Sequence, residues 1–179
     1  MRRYGAVLGL PVISAHNGDK IGIIKDVVFD REGRSVKAYI LEKGSYTLSG
    51  RVAMKESILN VGEDAVIIDC LKSLKDYKKF KHCELMKKRL ELRGFKIYTR
   101  SGQDLGFVND ILFDPDSGII EAVIVSDGLF QDIFSGRSTL PLIGKIEIGY
   151  DSILVEEEAA AEMTNNGGGL LKRLQRNEI

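Results

Sequence analysis

The chain contains one stretch of sequence twice. Residues 17–44 read NGDKIGIIKDVVFDREGRSVKAYILEKG, and residues 101–128 read SGQDLGFVNDILFDPDSGIIEAVIVSDG. The residues that recur 84 positions later are Gly18, Gly22, Asp26, Phe29, Asp30, Ala38, Ile40 and Gly44. A period of this length indicates a duplicated domain, because the units of a solenoid recur every ~20–50 residues.

The turn residues of the repeat predict short strands. Asn17-Gly18 and Ser101-Gly102 lie between apolar segments, and Asn-Gly is a strong hairpin signal because both residues accept a positive φ. The apolar runs 21–30 and 105–114 each contain a glycine, which within a strand usually marks a bulge or a bend. Each copy therefore reads as about five or six short strands, which is typical of a small barrel or sandwich.

The order of these features resembles the PRC-barrel domain, present twice. The first copy carries the pattern as Asn17-Gly18, Gly22, Asp26, Phe29-Asp30 and Gly62-Glu-Asp64-Ala-Val-Ile67. The second copy carries it as Gly102, Gly106, Asp110, Phe113-Asp114, Ser126-Asp-Gly128, Gly136-Arg137, Leu140-Pro141 and Gly149-Tyr-Asp151. The second match is fuller, because the first copy has Arg51-Val-Ala-Met54 where the family often has a Leu-Pro or Ile-Pro.

The resemblance implies a mainly β fold of two tandem six-stranded barrels. The family includes the cytoplasmic domain of the photosynthetic reaction-centre H subunit and the C-terminal part of a ribosome-maturation factor. Neither is an enzyme domain, and both dock onto a larger assembly. The resemblance therefore implies a docking role for this chain.

Composition limits the class of protein. The chain has 179 residues, of which 44% are apolar, and its 26 basic residues balance 26 acidic ones. The apolar share is typical of a folded protein, and no apolar run reaches the ~20 residues that span a bilayer, so we expect no integral membrane segment. Cys70 and Cys83 do not make a disulfide framework in a chain this long. We therefore expect reduced thiols and a cytoplasmic location.

Charge divides the chain into four predicted regions. Residues 1–70 form the first barrel, 71–93 a helical connector, 94–156 the second barrel and 157–179 a short helical, flexible tail. Residues 70–93 carry nine basic and three acidic groups, whereas residues 94–155 carry four and nine. Leu71, Leu74, Tyr77, Phe80, Cys83 and Met86 recur every three residues. That period drifts around a single helix, so the connector is expected to hold two short helices with a break near residues 80–82.

Motifs for catalysis or metal binding are weak, and we expect no catalytic residue, no cofactor and no metal. His16 and His82 are the two histidines, and neither has neighbours in the sequence that indicate a catalytic set. Residues 114–118 imitate the start of a calcium loop, but the twelfth position is Val125 rather than the required Glu. Asp26 and Asp110 each lie within an apolar strand; we interpret them as acceptors of backbone N–H groups, with catalysis as the alternative.

Two groups of residues are candidates for interaction with a partner. The loop residues are Phe130, Ile133, Phe134 and Arg137, which could instead close one end of a barrel as core. The connector residues are Lys78, Lys79, Lys81, Lys87, Lys88 and Arg89, which could instead form a solvated helix face. The sequence does not decide between these alternatives.

The sequence supports two functional hypotheses. The first is a non-enzymatic adaptor or assembly module that binds protein partners of unknown identity. The alternative is an accessory factor for RNA or a ribosomal assembly that uses the basic residues of 72–93 to bind phosphates. We also expect the connector to pack on a barrel through Leu74, Phe80 and Leu85, with its lysines directed toward acidic groups such as Asp127 and Asp132.

Overall fold

The structure, a computed structural model, describes residues 1–32, 34–42, 50–126 and 138–165. It is mainly β. The first half comprises β1 (Arg2–Arg3), α1 (Tyr4–Val7), β2 (Pro11–Ser14), β3 (Lys20–Asp30), β4 (Ser35–Leu41), β5 (Arg51–Met54), β6 (Ile58–Val61) and β7 (Val66–Ile68). The connecting segment comprises β8 (Lys75–Asp76), α2 (Tyr77–Phe80), α3 (Glu84–Lys87) and β9 (Arg89–Leu90). The second half comprises β10 (Lys96–Thr99), β11 (Asp104–Phe113), β12 (Ile120–Ser126), β13 (Ser138–Pro141), β14 (Glu147–Ile148), β15 (Ser152–Val155), α4 (Glu157–Ala161) and β16 (Thr164–Asn165).

The chain forms two compact units. Unit 1 comprises Met1–Glu91 together with Phe113–Ile119, and unit 2 comprises Leu92–Leu112 and the chain from Ile120 onward. The short segment 113–119, which includes the turn between β11 and β12, therefore makes most of its contacts with unit 1. The boundaries of the compact units therefore differ from the boundaries of the sequence repeats.

Each repeat forms a curled sheet with the same strand order. In the first repeat the strands follow the path β6-β7-β2-β3-β4-β5-β8, with β9 paired to β3. In the second repeat the path is β14-β15-β10-β11-β12-β13-β16. The pairs β2–β7 and β10–β15 are parallel, and six strands of one path correspond in order to six strands of the other. The predicted fold class, mainly β with two tandem copies, is confirmed.

The hairpins lie where the glycines predicted them. Gly18 has a φ of 76° and Gly102 a φ of 89°, a left-handed conformation that favours glycine. In the strand that enters each hairpin, the register shifts at the same place, between Val12 and Ile13 in one copy and between Ile97 and Tyr98 in the other. The same local sequence therefore produces the same irregularity twice.

Strand β4 is buried on both of its faces. Residues 38–41 form a continuous apolar run, Ala-Tyr-Ile-Leu, which is consistent with a strand covered on both faces. In the structure Ala38, Tyr39, Ile40 and Leu41 are all at most 5% exposed, and neighbouring residues of a strand point to opposite faces. Both faces of β4 are therefore covered, one of them by the connector.

The helices are short. The connector contains α2 and α3, separated by residues 81–83, close to the break expected at 80–82. Helix α4 follows β15, where the glutamate-rich start of the tail predicted a helix. Among the described residues, no helix combines the length and the apolar character needed to span a membrane.

Candidate interaction surface on the connector

Phe80 anchors the connector to the first sheet. It is 7% exposed and forms a hydrophobic cluster with Val28, Ala38, Ile40 and Val52. Partly buried residues pack against this cluster: Met54, Tyr77, Cys83, Leu85 and Met86. Phe80 and Leu85 thus make the expected contacts with a barrel, and Leu74 is also buried.

Backbone pairing fixes the start of α2. Strand β8 pairs with β5 through Arg51–Asp76 and Val52–Lys75, and the amide of Tyr77 donates to the carbonyl of Gly50 at 3.0 Å. The carboxylate of Asp76 then accepts the amide of Lys78 at 2.7 Å, which is the usual cap of a helix N-terminus. With Phe80 directed inward, this pairing holds the charged residues of α2 on the solvent side.

Three of the predicted lysines form an unpaired basic surface. Lys78, Lys79 and Lys81 are exposed, and no carboxylate among the described residues lies within 4.0 Å of their ammonium groups. The same holds for Lys72 and Lys75, which the sequence pattern did not single out. We call these five residues the connector lysines, and together they form the basic surface of the connector: Lys72, Lys75, Lys78, Lys79 and Lys81.

The other three predicted basic residues make intramolecular contacts. The Lys87 ammonium lies 2.6 Å from Glu84, and Lys88 lies 3.0 Å from Glu32. The hydrogen bond to Glu32 raises the pKa of Lys88. Arg89 is half-buried and contacts Asp26 at 3.2 Å. The structure therefore divides the six candidates into three without a carboxylate partner among the described residues and three that form intramolecular ion pairs.

The Asp26 carboxylate ties three elements together. One oxygen accepts the hydroxyl of Tyr4 at 2.9 Å and the amide of Val27 at 2.8 Å. The other oxygen accepts the guanidinium of Arg89 at 3.2 Å. In the second copy, Asp110 accepts the amide of Ile111 at 2.9 Å. The interpretation of both aspartates as backbone acceptors is confirmed, and the contacts from Tyr4 and Arg89 were not predicted.

Carboxylates of two acidic segments accept intramolecular hydrogen bonds. Asp114 accepts the amides of Asp116 and Ser117 and the Ser117 hydroxyl, as expected for a hairpin turn. Carboxylate oxygens of Glu156–Glu158 lie within 4.8 Å of one another. Glu156, however, accepts a hydrogen bond from Arg100 and Glu157 one from the Ser101 amide. Intramolecular hydrogen bonds therefore engage carboxylates at both places.

Several predicted residues lie outside the described part of the chain. These are Phe130, Ile133, Phe134 and Arg137, and the acidic residues Asp127 and Asp132. The candidate interaction loop therefore stays a prediction. Cys70 and Cys83 are free thiols, and His16 and His82 are exposed.

Comparison with known proteins agrees with this architecture. The family model described as the PRC-barrel domain matches residues 1–75 and again residues 87–161. Among curated proteins, the chain is 25% identical over 159 residues to the uncharacterized protein YrrD of Bacillus subtilis (strain 168). That match covers 87% of this chain and 87% of the relative, so both repeats and the connector between them are shared.

Proposed function

Because the chain belongs to the PRC-barrel family and carries two copies of its domain, we propose that it is a non-enzymatic adaptor that binds protein partners. The observation that carries the proposal is the basic surface of the connector, whose lysines have no carboxylate partner among the described residues and which Phe80 holds on the first sheet. A rigid support lowers the ordering cost of binding. The free thiols of Cys70 and Cys83 support a cytoplasmic location for this role.

The partner surface that fits the connector lysines is acidic. Each exposed ion pair contributes only about 0–1 kcal/mol, so specificity requires several pairs and apolar contacts beside them. Charge complementarity of this kind mainly accelerates association and sets the orientation of the partner. We therefore expect binding that weakens steeply as salt rises.

An RNA- or ribosome-associated factor is the second candidate, because clustered lysines also neutralise phosphates. Sequence-tolerant RNA binding commonly adds aromatic side chains on which bases stack. Phe80 is 7% exposed within the hydrophobic cluster, and Tyr77 packs against that cluster. The ring of Phe80 is thus buried and that of Tyr77 partly buried, which favours the protein partner over RNA.

The test is affinity capture from an extract of the native host with two charge-matched variants. Lys78→Glu combined with Lys81→Glu reverses two charges of the basic surface. Lys25→Glu combined with Lys145→Glu makes the same change in net charge elsewhere, at two exposed lysines. We expect a defined protein that is captured by the wild type and the control, lost with the first variant, and retained after nuclease treatment.

One outcome would contradict the adaptor, and another would contradict its proposed docking site. Capture that disappears after nuclease treatment, together with salt-sensitive binding of a homopolymer RNA, would establish the second candidate instead. Capture that is unchanged by the Lys78 and Lys81 substitutions would exclude the basic surface as the docking site.

A further inference from the structure

A cavity opens at one end of the first repeat, within unit 1. Residues of the β2–β3 turn line one side of it, and residues 69–72, which follow β7, line the other. Its volume is about 490 Å³, within the range of pockets that hold small molecules. The cavity is therefore large enough for a small organic ligand.

A buried hydroxyl at this cavity lacks a partner. Ser14 lines the cavity and is 3% exposed. Its hydroxyl makes no hydrogen bond to the described part of the chain, whereas buried side-chain hydroxyls normally have a hydrogen-bond partner. The missing partner is one that a ligand in the cavity would supply.

The second repeat shows how the same position is satisfied without a ligand. There Thr99 occupies the position of Ser14, and its hydroxyl accepts the amide of Gln103 at 3.1 Å. In the first repeat the corresponding amide is that of Asp19, and it donates to the side chain of Asn17 at 3.3 Å instead. The turn of the first repeat therefore leaves the Ser14 hydroxyl to the cavity.

Positive charges border the same cavity. Lys20 and Lys72 line it, and neither has a carboxylate within 4.0 Å of its ammonium group among the described residues. Two acidic residues line it as well. Asp19 accepts the side-chain amide of Asn17 at 2.5 Å, whereas Asp69 is exposed. An anionic group bound here therefore gains two ammonium partners and must lie away from the Asp69 carboxylate.

Apolar side chains complete the lining. Ile21, from β3, and Leu71, from the segment after β7, both line the cavity. Leu71 is 49% exposed, so a ligand that covers it removes apolar surface from water, which favours binding. The lining therefore combines cationic groups, one hydroxyl donor and an apolar wall.

We propose that this cavity binds a small organic acid, in which a carboxylate is joined to an apolar body. The carboxylate pairs with Lys20 and Lys72 and accepts the hydroxyl of Ser14. The apolar body covers Ile21 and Leu71. Because the ligand is a small molecule, this site is a function in addition to the adaptor and does not depend on it.

The probe is octanoate, and its matched control is octanamide, which has the same apolar chain and no charge. Each is added to the isotope-labelled full chain and followed by NMR. We expect octanoate to shift the amides of residues 14–21 and 69–72. We also expect it to bind about tenfold more tightly than octanamide, because only the carboxylate forms ion pairs with the two lysines.

A second readout uses the cysteine in the cavity wall. Cys70 is a free thiol that lines the cavity, whereas Cys83 packs against the hydrophobic cluster around Phe80. We expect octanoate to slow the reaction of Cys70 with a thiol reagent, at concentrations where octanamide does not, and to leave the reaction of Cys83 unchanged. Mass spectrometry of the digested protein measures the two thiols separately.

The protein variants make the test specific. Lys20→Gln combined with Lys72→Gln should weaken octanoate binding about tenfold, since two exposed ion pairs are lost. Ser14→Ala should weaken it about two- to tenfold, because one hydrogen bond is lost. The Ser14 hydroxyl has no partner among the described residues, so this variant is expected to fold. Lys25→Gln combined with Lys145→Gln makes the same change in net charge at two exposed lysines and should leave binding unchanged.

Four results would overturn the proposal. They are the absence of shifts at millimolar octanoate, shifts located elsewhere, binding that survives both the lysine and the Ser14 substitutions, and equal binding of octanamide, which would indicate an uncharged apolar ligand. Lys78 and Lys81, on which the capture test of the adaptor depends, do not line the cavity. A chain that captures its partner through those lysines and ignores octanoate would therefore refute the cavity proposal alone.

Discussion

At the scale of single residues, Asp26 shows how one partly buried side chain can organise distant parts of the chain. Its carboxylate is bonded to Tyr4, 22 residues earlier, and to Arg89, 63 residues later. A buried hydrogen-bond donor or acceptor that is left without its partner costs about 1–3 kcal/mol. The carboxylate is therefore expected to stabilise the fold, with no need for a chemical role.

We expect Asp26→Ala to lower the free energy of unfolding by about 1–3 kcal/mol, because it removes the acceptor of both contacts. Tyr4→Phe removes one hydrogen bond and should cost about 0.5–1.5 kcal/mol. Urea unfolding measures both. Asp64, which is exposed, provides the control, and Asp64→Ala should have little effect. Equal stability of the Asp26 and Asp64 variants would show that the carboxylate is not a structural tie.

Tyr39 leads to a prediction about pH. The residue is fully buried, its hydroxyl has no hydrogen-bond partner within the described residues, and burial raises its pKa. The unfolded chain loses this proton above a pH of about 10, whereas the folded chain keeps it. The folded state therefore loses stability as the pH rises past that value.

Tyr39→Phe should remove this loss. At neutral pH the variant should be as stable as the wild type or more stable, by up to about 1 kcal/mol, because an unsatisfied hydroxyl is no longer buried. At a pH of about 11 the advantage should grow. Urea midpoints at the two pH values measure it, with Tyr150→Phe as the control, since Tyr150 is 94% exposed. An advantage that shrinks at high pH would refute this explanation.

At the scale of elements, local signals in the sequence predict strands better than they predict what covers them. Gly18 and Gly102 mark their hairpins because a positive φ is a property of the glycine itself. The burial of Ala38 and Ile40 depends instead on Phe80, about 40 residues away along the chain. The sequence predicted the break in the connector and the packing of Phe80 and Leu85 on a barrel. It did not indicate which strands they cover, because the three-residue spacing of the apolar residues around Phe80 fits no single helix face.

The connector provides the prediction at this scale. Phe80→Ala should cost about 3–5 kcal/mol and speed hydrogen exchange in residues 77–87, while β2 and β7 keep their protection. A salt concentration of about 1 M, where the Debye length is ~3 Å, should have a smaller effect, because the Lys88–Glu32 pair is exposed and contributes little. Leu71→Ala is the control. If salt speeds hydrogen exchange in the connector and Phe80→Ala does not, then charged contacts, and not the apolar contacts of Phe80, hold the connector on the sheet.

At the scale of the molecule, the repeat and the compact unit have different boundaries. Segment 113–119 belongs to unit 1. Within unit 1, the ring of Phe113 meets Phe29 edge to face at 5.8 Å, and the carbonyl of Gly118 accepts the amide of Val36 at 2.8 Å. Gly118 has a φ of 79°, and a Cβ there would lie 3.2 Å from the Val36 carbonyl. Unit 1 is therefore incomplete without seven residues that lie beyond the first repeat.

This division predicts that residues 1–93, expressed alone, are less stable than the same residues in the full chain. Phe113 is fully buried, and the loss of a buried phenylalanine costs about 3–5 kcal/mol, a large share of the ~5–15 kcal/mol that stabilises a domain. Urea unfolding followed by circular dichroism should show a lower midpoint for the fragment.

Phe113→Ala in the full chain should reproduce much of the loss, whereas Phe107→Ala should cost less, because Phe107 is 37% exposed. A peptide of residues 111–121, added to the fragment, should raise its midpoint again. A fragment that matches the full chain in stability and ignores the peptide would show that the first repeat folds on its own, and that the contacts of segment 113–119 add nothing to it.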